Sequence, residues 1–127
     1  MPIERLKPAG LSNSPAYSQV VKAGNTVYIS GQVSVDAQGN LVGRGDFAAQ
    51  AAQVWENLGL ALASVGASYQ HLVKTSVFLT DGRFRDGYAE VRTRYLGAAA
   101  PASTLLVVAG LASPDYLIEL EGVAVLD

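Results

Sequence analysis

Two carboxylates near the C-terminus, Glu119 and Glu121, lie two residues apart in the alternating apolar run Tyr116–Leu126. Side chains alternate between the faces of a strand, so both point the same way with Cα atoms about 7 Å apart. Val123 and Val125 share that face, which sets Glu119 among apolar neighbours rather than on a fully solvated edge. A carboxylate that loses water there keeps its proton to higher pH, a condition suited to proton transfer near neutrality. Glu121 reads as the solvated member of the pair. His71 is the sole histidine, and no histidine–carboxylate pair is in view to make Ser103 a nucleophile. Four arginines, Arg83, Arg85, Arg92 and Arg94, fall on one predicted helix, where most face water. Arg92 flanks that helix's apolar stripe, about 80° round from Phe84 at about 100° per residue.

Bulk composition narrows the classes. The chain has 127 residues, enough for a single domain spanning 1–127 but near the size where partner chains help. Half the residues are hydrophobic and 16% are charged, which is too apolar for disorder. A net charge of −2 gives no general reason to bind nucleic acid or an anionic membrane. The absence of cysteine excludes disulfides, thiolate chemistry and zinc–thiolate sites, and no metal cluster is evident. The start, Met1-Pro2-Ile3-Glu4-Arg5-Leu6, lacks a long apolar core, and no run approaches the ~18 apolar residues of a membrane span. A soluble cytoplasmic protein is the expectation.

The elements that must position these residues follow from pattern. Tyr17–Ala23 and Thr26–Val33 flank Gly24-Asn25, a pairing suited to a tight hairpin turn. Asp36–Asn40 marks another turn. Asp46 reads as the N-cap of a helix ending near Gly66, with Ala51, Val54, Trp55, Leu58, Ala61, Leu62 and Val65 as its buried stripe. His71–Thr80 reads as a strand, and Asp81 as the cap of a helix from about Phe84 to Tyr95 carrying Phe84, Tyr88, Val91 and Tyr95 on one side. Ala102–Ala109 and Tyr116–Leu126 are the last strands. The order β-β-α-β-α-β-β is an α+β arrangement. Leu105, Val107 and Ala109 share one sheet face and Leu106 and Val108 the other, while Val123 and Val125 oppose Ile118 and Leu120. Both faces are apolar, yet two helices can cover only one. A second copy of the chain is the most economical cover, so a homo-oligomer is expected.

The sequence as a whole resembles the RidA/YjgF family, also described as endoribonuclease L-PSP. The resemblance runs through Ser14-Pro15-Ala16-Tyr17-Ser18-Gln19, Val27-Tyr28-Ile29-Ser30-Gly31-Gln32, Asn57-Leu58, Val73–Asp81, Pro101-Ala102-Ser103-Thr104-Leu105 and Ile118-Glu119-Leu120-Glu121. It implies a chorismate-mutase-like fold, a six-stranded, mainly antiparallel sheet with two helices on one face. It also implies a homotrimer with ligand clefts between neighbouring subunits. The deaminating members use no cofactor. An arginine grips the carboxylate of a small 2-imino or 2-enamine acid, and a glutamate helps activate water.

By position, the resemblance implies Glu119 as the catalytic glutamate and Tyr17, Ser30 and Gly31 as ligand-binding residues. Two cleft positions depart: Ser103 stands in place of the arginine and Tyr88 in place of an asparagine. A hydrogen bond to a charged group contributes about 1.5–3 kcal/mol, so losing the arginine costs roughly 10- to 150-fold in binding. Arg92, at the cleft edge, is the candidate to replace it. The expectation is a RidA-like small-metabolite protein, leaning to an enamine/imine deaminase-type hydrolase with altered substrate choice. The competing reading is a non-catalytic, ligand-binding or regulatory trimer. Ribonuclease or translation inhibition ranks last.

Overall fold

The computed structural model describes residues 2–127. The strands are β1 (Ile3–Leu6), β2 (Val20–Ala23), β3 (Thr26–Gln32), β4 (Leu72–Leu79), β5 (Ala102–Val107) and β6 (Ile118–Val125). Two helices, α1 (Phe47–Ala63) and α2 (Arg85–Leu96), interrupt them. They form one sheet in the order β1-β2-β3-β6-β4-β5. Every neighbouring pair is antiparallel except β4–β5, which run parallel because α2 carries the chain back between them. The α+β class and the six-stranded, two-helix layout are as expected. Pattern alone misses β1: four residues, two of them charged, present no alternation long enough to read.

Local chemistry explains the boundaries. Gly24, at φ 61°, supplies the left-handed first position of the two-residue turn joining β2 to β3. Asp46 is extended at φ −115° and accepts a hydrogen bond from the Ala49 N–H at 3.1 Å, starting α1. Gly66, at φ 73°, lets the chain leave that helix while the Ala67 N–H returns to the Leu62 carbonyl. Asp81 starts its helix less directly than expected. It accepts from the Arg83 N–H and closes a 3₁₀ turn, Gly82–Phe84, before α2 begins at Arg85. Phe84 then stacks on Phe47 with centroids 4.3 Å apart, fixing the start of α2 to the start of α1.

The predicted α1 stripe is the core. Ala51, Val54, Trp55, Leu58, Ala61 and Leu62 are all fully buried, against Val27, Val77, Leu79, Ile118, Leu120 and Ala124 of the sheet. Each large aliphatic or aromatic side chain so buried contributes about 1.5–3 kcal/mol. Tyr88 and Val91 bring α2 onto the same layer. The other sheet face carries Tyr28, Phe78, Leu106, Val123 and Val125, and no element among the described residues covers it. Tyr28, Leu106 and Val125 are 51%, 47% and 43% exposed in the single chain. No helix among the described residues is long and apolar enough to cross a membrane.

One buried polar side chain ties the loops that frame the site. Gln50 of α1 donates from Nε2 to the Gly43 and Asp115 carbonyls, both at 3.0 Å, and its Oε1 accepts from the Leu117 N–H at 2.9 Å. It thereby fixes the segment entering β6. Gln50→Ala removes three hydrogen bonds and leaves buried backbone groups unpaired, so it should lower stability by about 2–4 kcal/mol. Urea unfolding would show this as a lower midpoint at unchanged slope.

Candidate functional site

Glu119 lies on the uncovered face of β6, directly across from Phe78 of β4. On its other side β3 is irregular: Ile29 pairs with Gly122 and Gln32 with Leu120, so Ser30 and Gly31 together oppose Glu121. This bulge turns the β3 backbone toward the glutamate. A Cβ added at Gly31 would overlap the Glu119 Oε2, so the bare backbone at Gly31 is what admits the carboxylate. Ser30 is held in place by its own bonds. Its Oγ donates to the Ser18 carbonyl at 2.6 Å and its N–H to the Gln19 carbonyl at 3.0 Å. Behind the bulge the Gln32 Nε2 donates to the Gln19 Oε1 at 2.7 Å and to the Ser30 carbonyl at 2.9 Å.

The structure brings four of the candidates together. Tyr17, Ser30, Gly31 and Glu119 line one open cleft of about 410 Å³, with Val33, Ala112 and Tyr116 completing it. Tyr116 and Ala112 carry no functional signal in the sequence: Tyr116 reads only as the start of the last strand, and β6 in fact begins at Ile118, leaving both in the irregular segment after β5. Burial pushes the Glu119 carboxyl above the usual glutamate range, and the Glu121 charge on the same face adds to the rise. Because the folded pKa exceeds the unfolded one, the stability linked to this group is full below the unfolded pKa. It is lost as pH rises through the folded value.

The remaining candidates lie elsewhere. Ser103 of β5 pairs with Thr75 of β4, which places both on the helix-covered side of the sheet, opposite to Glu119. Ser103, Thr75 and Arg92 line a second cavity of about 300 Å³ with Leu96 and the segment from Gly97 to Pro101. A single chain therefore does not set Ser103 beside Glu119. Tyr88 lines neither cavity. It is 2% exposed, packed in the core, where burial pushes its hydroxyl up to about 12 while the nearby Arg92 charge pulls it down. The Trp55 indole N–H approaches that hydroxyl closely enough to favour its ionised form, but outside hydrogen-bond geometry, and is otherwise unpaired. The Arg92 guanidinium sits over the Tyr88 ring, 5.9 Å from its centroid. His71 has a local role: its Nδ1 accepts from the Ser68 N–H at 3.0 Å and caps the 3₁₀ turn Tyr69–His71. No group of three or more His, Cys, Asp or Glu among the described residues could hold a metal ion.

Comparison with known proteins identifies the family. The family model described as endoribonuclease L-PSP matches residues 9–126. The chain belongs to the RidA/YjgF family. A RutC family protein of Pyrococcus horikoshii is 36% identical over 108 residues, covering 85% of either chain. The 2-iminobutanoate/2-iminopropanoate deaminase of Homo sapiens is 34% identical over 109 residues, 86% of this chain and 79% of that one. The crystal structure of RidA from the Antarctic bacterium Psychrobacter sp. PAMC 21119 superposes with a TM-score of 0.87 at 35% identity. That match covers 96% of this chain and 98% of the other. As a RidA/YjgF relative, the chain has a deaminase-type kinship at the level of the family.

The geometry at Gly31 makes the carboxylate's environment testable without a substrate. Gly31 has no left-handed φ, so Gly31→Ala strains no backbone and only displaces the end of a flexible side chain. The variant should fold and let Glu119 turn toward water, returning its pKa toward the ordinary glutamate value. Glu121→Gln should also lower it by removing the like charge. Carboxyl ¹³C NMR titration of Glu119 reads both shifts.

Proposed function

We propose that this RidA/YjgF chain is a cofactor-free hydrolytic deaminase of a small enamine or imine, acting as a homotrimer with its sites between subunits. The observation that carries the reading is the Glu119 carboxylate, seated against Gly31 in an open cleft with its pKa raised by lost solvation. A base of that kind takes a proton from water as the water oxygen bonds to the carbon of a protonated imine, leaving a neutral carbinolamine. The same carboxyl returns that proton to the amine nitrogen, and as the carbon–nitrogen bond breaks it takes up the hydroxyl proton, so that ammonia and a carbonyl compound leave and the carboxyl gives its proton to solvent. Tyr17 and Ser30 sit on the wall that would face the substrate.

Two further observations support assembly. The open sheet face presents Tyr28, Leu106 and Val125 to water in a single chain, apolar side chains that a neighbouring copy would bury. Glu119 and the Ser103 cavity lie on opposite sides of one sheet, so a neighbouring copy is what could bring one chain's glutamate to another's cavity. A trimer has the closed symmetry for three such clefts. The second reading, a ligand-binding trimer without turnover, draws on Ser103 in place of an arginine. The ribonuclease description of the matching family model finds no histidine pair here, since the chain has a single histidine.

Generating 2-iminobutanoate or 2-aminoacrylate in situ and following keto-acid formation tests the chemistry. The protein should accelerate it, and Glu119→Gln should remove roughly 100-fold or more of that rate. The acid limb of kcat/KM should lie above the ordinary glutamate pKa of about 4.3 and move to lower pH in Glu121→Gln. A wild-type chain that leaves the solution rate unchanged would favour the binding reading instead. Sedimentation equilibrium tests the assembly: three chains are expected, and Leu106→Glu should yield monomers by placing a charge in the buried face.

A further inference from the structure

We propose that Arg92, resting on Tyr88 and facing Thr75 and Ser103, is an anion clamp that binds the carboxylate of a small acid. The clamp belongs to the helix-side cavity. It deepens the proposed function by naming the group that would hold the substrate's acid end, and it rests on that reading only for what happens next at Glu119. The cavity's own features carry the clamp. Arg92 is the single charged side chain in its lining, so no acid there neutralises it. None of the ion pairs among the described residues involves Arg92. A partly buried guanidinium whose five donors make no hydrogen bond among the described residues is set up for a two-oxygen anion.

Its neighbours fit the same ligand. Tyr88 lies one helical turn before Arg92, the i, i+4 spacing that puts both side chains on one face of α2. The buried ring fixes the height of the guanidinium above it. Thr75 is 3% exposed, lines the cavity, and its hydroxyl makes no hydrogen bond among the described residues. Ser103, paired with Thr75 across β4 and β5, offers a second free hydroxyl from the same wall. The third hydroxyl, Thr93, is spent on the Ala89 carbonyl at 2.9 Å. The end of α2 also borders the cavity, and its carbonyl charge disfavours anions. Two of those carbonyls are already occupied, Thr93 by the Gly97 N–H and Leu96 by the Ala99 N–H, and the remainder is a partial charge against a full one.

The opposite wall is apolar: Leu96, Ala98, Ala99, Ala100 and Pro101. A cavity of about 300 Å³ with one cationic, hydroxyl-lined end and one apolar wall suits a short-chain carboxylic acid rather than a nucleotide or a sugar phosphate. The large ring of Tyr88 supports Arg92 on the helix, and the small side chain of Ser103 leaves room for the guanidinium.

Titration calorimetry with butanoate, and with butanamide as the uncharged isostere, tests the clamp in the intact protein. Butanoate should bind, butanamide should not, and Arg92→Ala should weaken butanoate by about 10- to 150-fold. Arg92→Gln provides a second variant of similar size, and circular dichroism confirms that both fold. Thr75→Val should weaken butanoate by a few-fold. Glu119→Gln should remove turnover of the imine while the loss of butanoate affinity on Arg92→Ala persists in that background, so failure of the chemistry and failure of the clamp are read separately. Unchanged affinity in Arg92→Ala, equal binding of butanamide, or no binding of butanoate to the wild type would each overturn the proposal.

Discussion

The pleat of β6 governs everything built on it. This strand runs between β3 and β4, and its odd and even residues belong to different environments. Ile118, Leu120 and Ala124 go under the helices and are fully buried. Glu119, Glu121, Val123 and Val125 go to the bare face. A register slip of one residue would exchange the two sets, burying carboxylates in the core and exposing its aliphatic residues. The core therefore fixes the position of Glu119 as firmly as any contact that Glu119 makes itself. The same constraint puts Ser103 behind the sheet, because β5 inherits its phase from β4.

Much of this was legible in the residues. Asp46, the α1 stripe and Gly66 mark a helix whose start, buried face and end need no tertiary information. The alternation at Ile118–Val125 gives the two faces of β6, and hence the company Glu119 keeps. Gly31 could be recognised as a point of close approach, since glycine inside a strand has few other uses. What it approaches could not be read, because that depends on a bulge in the β3–β6 register. β1 was silent for a simpler reason: Ile3-Glu4-Arg5-Leu6 is too short and too charged to declare a strand, and it becomes one only because β2 offers an edge.

The harder part was the relation between distant segments. Ser103 and Glu119 both sit in apolar strands near the C-terminus, and nothing in their local pattern says that they face opposite ways. That follows only from one parallel and one antiparallel pairing on either side of β4. Thr75, Tyr116 and Ala112 entered the two cavities by the same route, through tertiary placement rather than residue type. Tyr88 shows the reverse case. Its position on the α2 stripe announced burial, and burial is what it has.

The placement of β6 has a consequence for how the chain is made. Of the six strands described, the one latest in sequence is an interior strand, hydrogen-bonded on both edges. Until it emerges, β1, β2 and β3 form one meander and β4, α2 and β5 another unit, with no strand to join them. The nascent chain must keep two unfinished sheet edges apart while it waits, a state open to wrong pairings. Closing the sheet then links β3 to β6 across most of the sequence, and such long-range pairing is slow. β6 is thus a kinetic keystone: without it the chain holds two half-sheets rather than a slightly smaller domain.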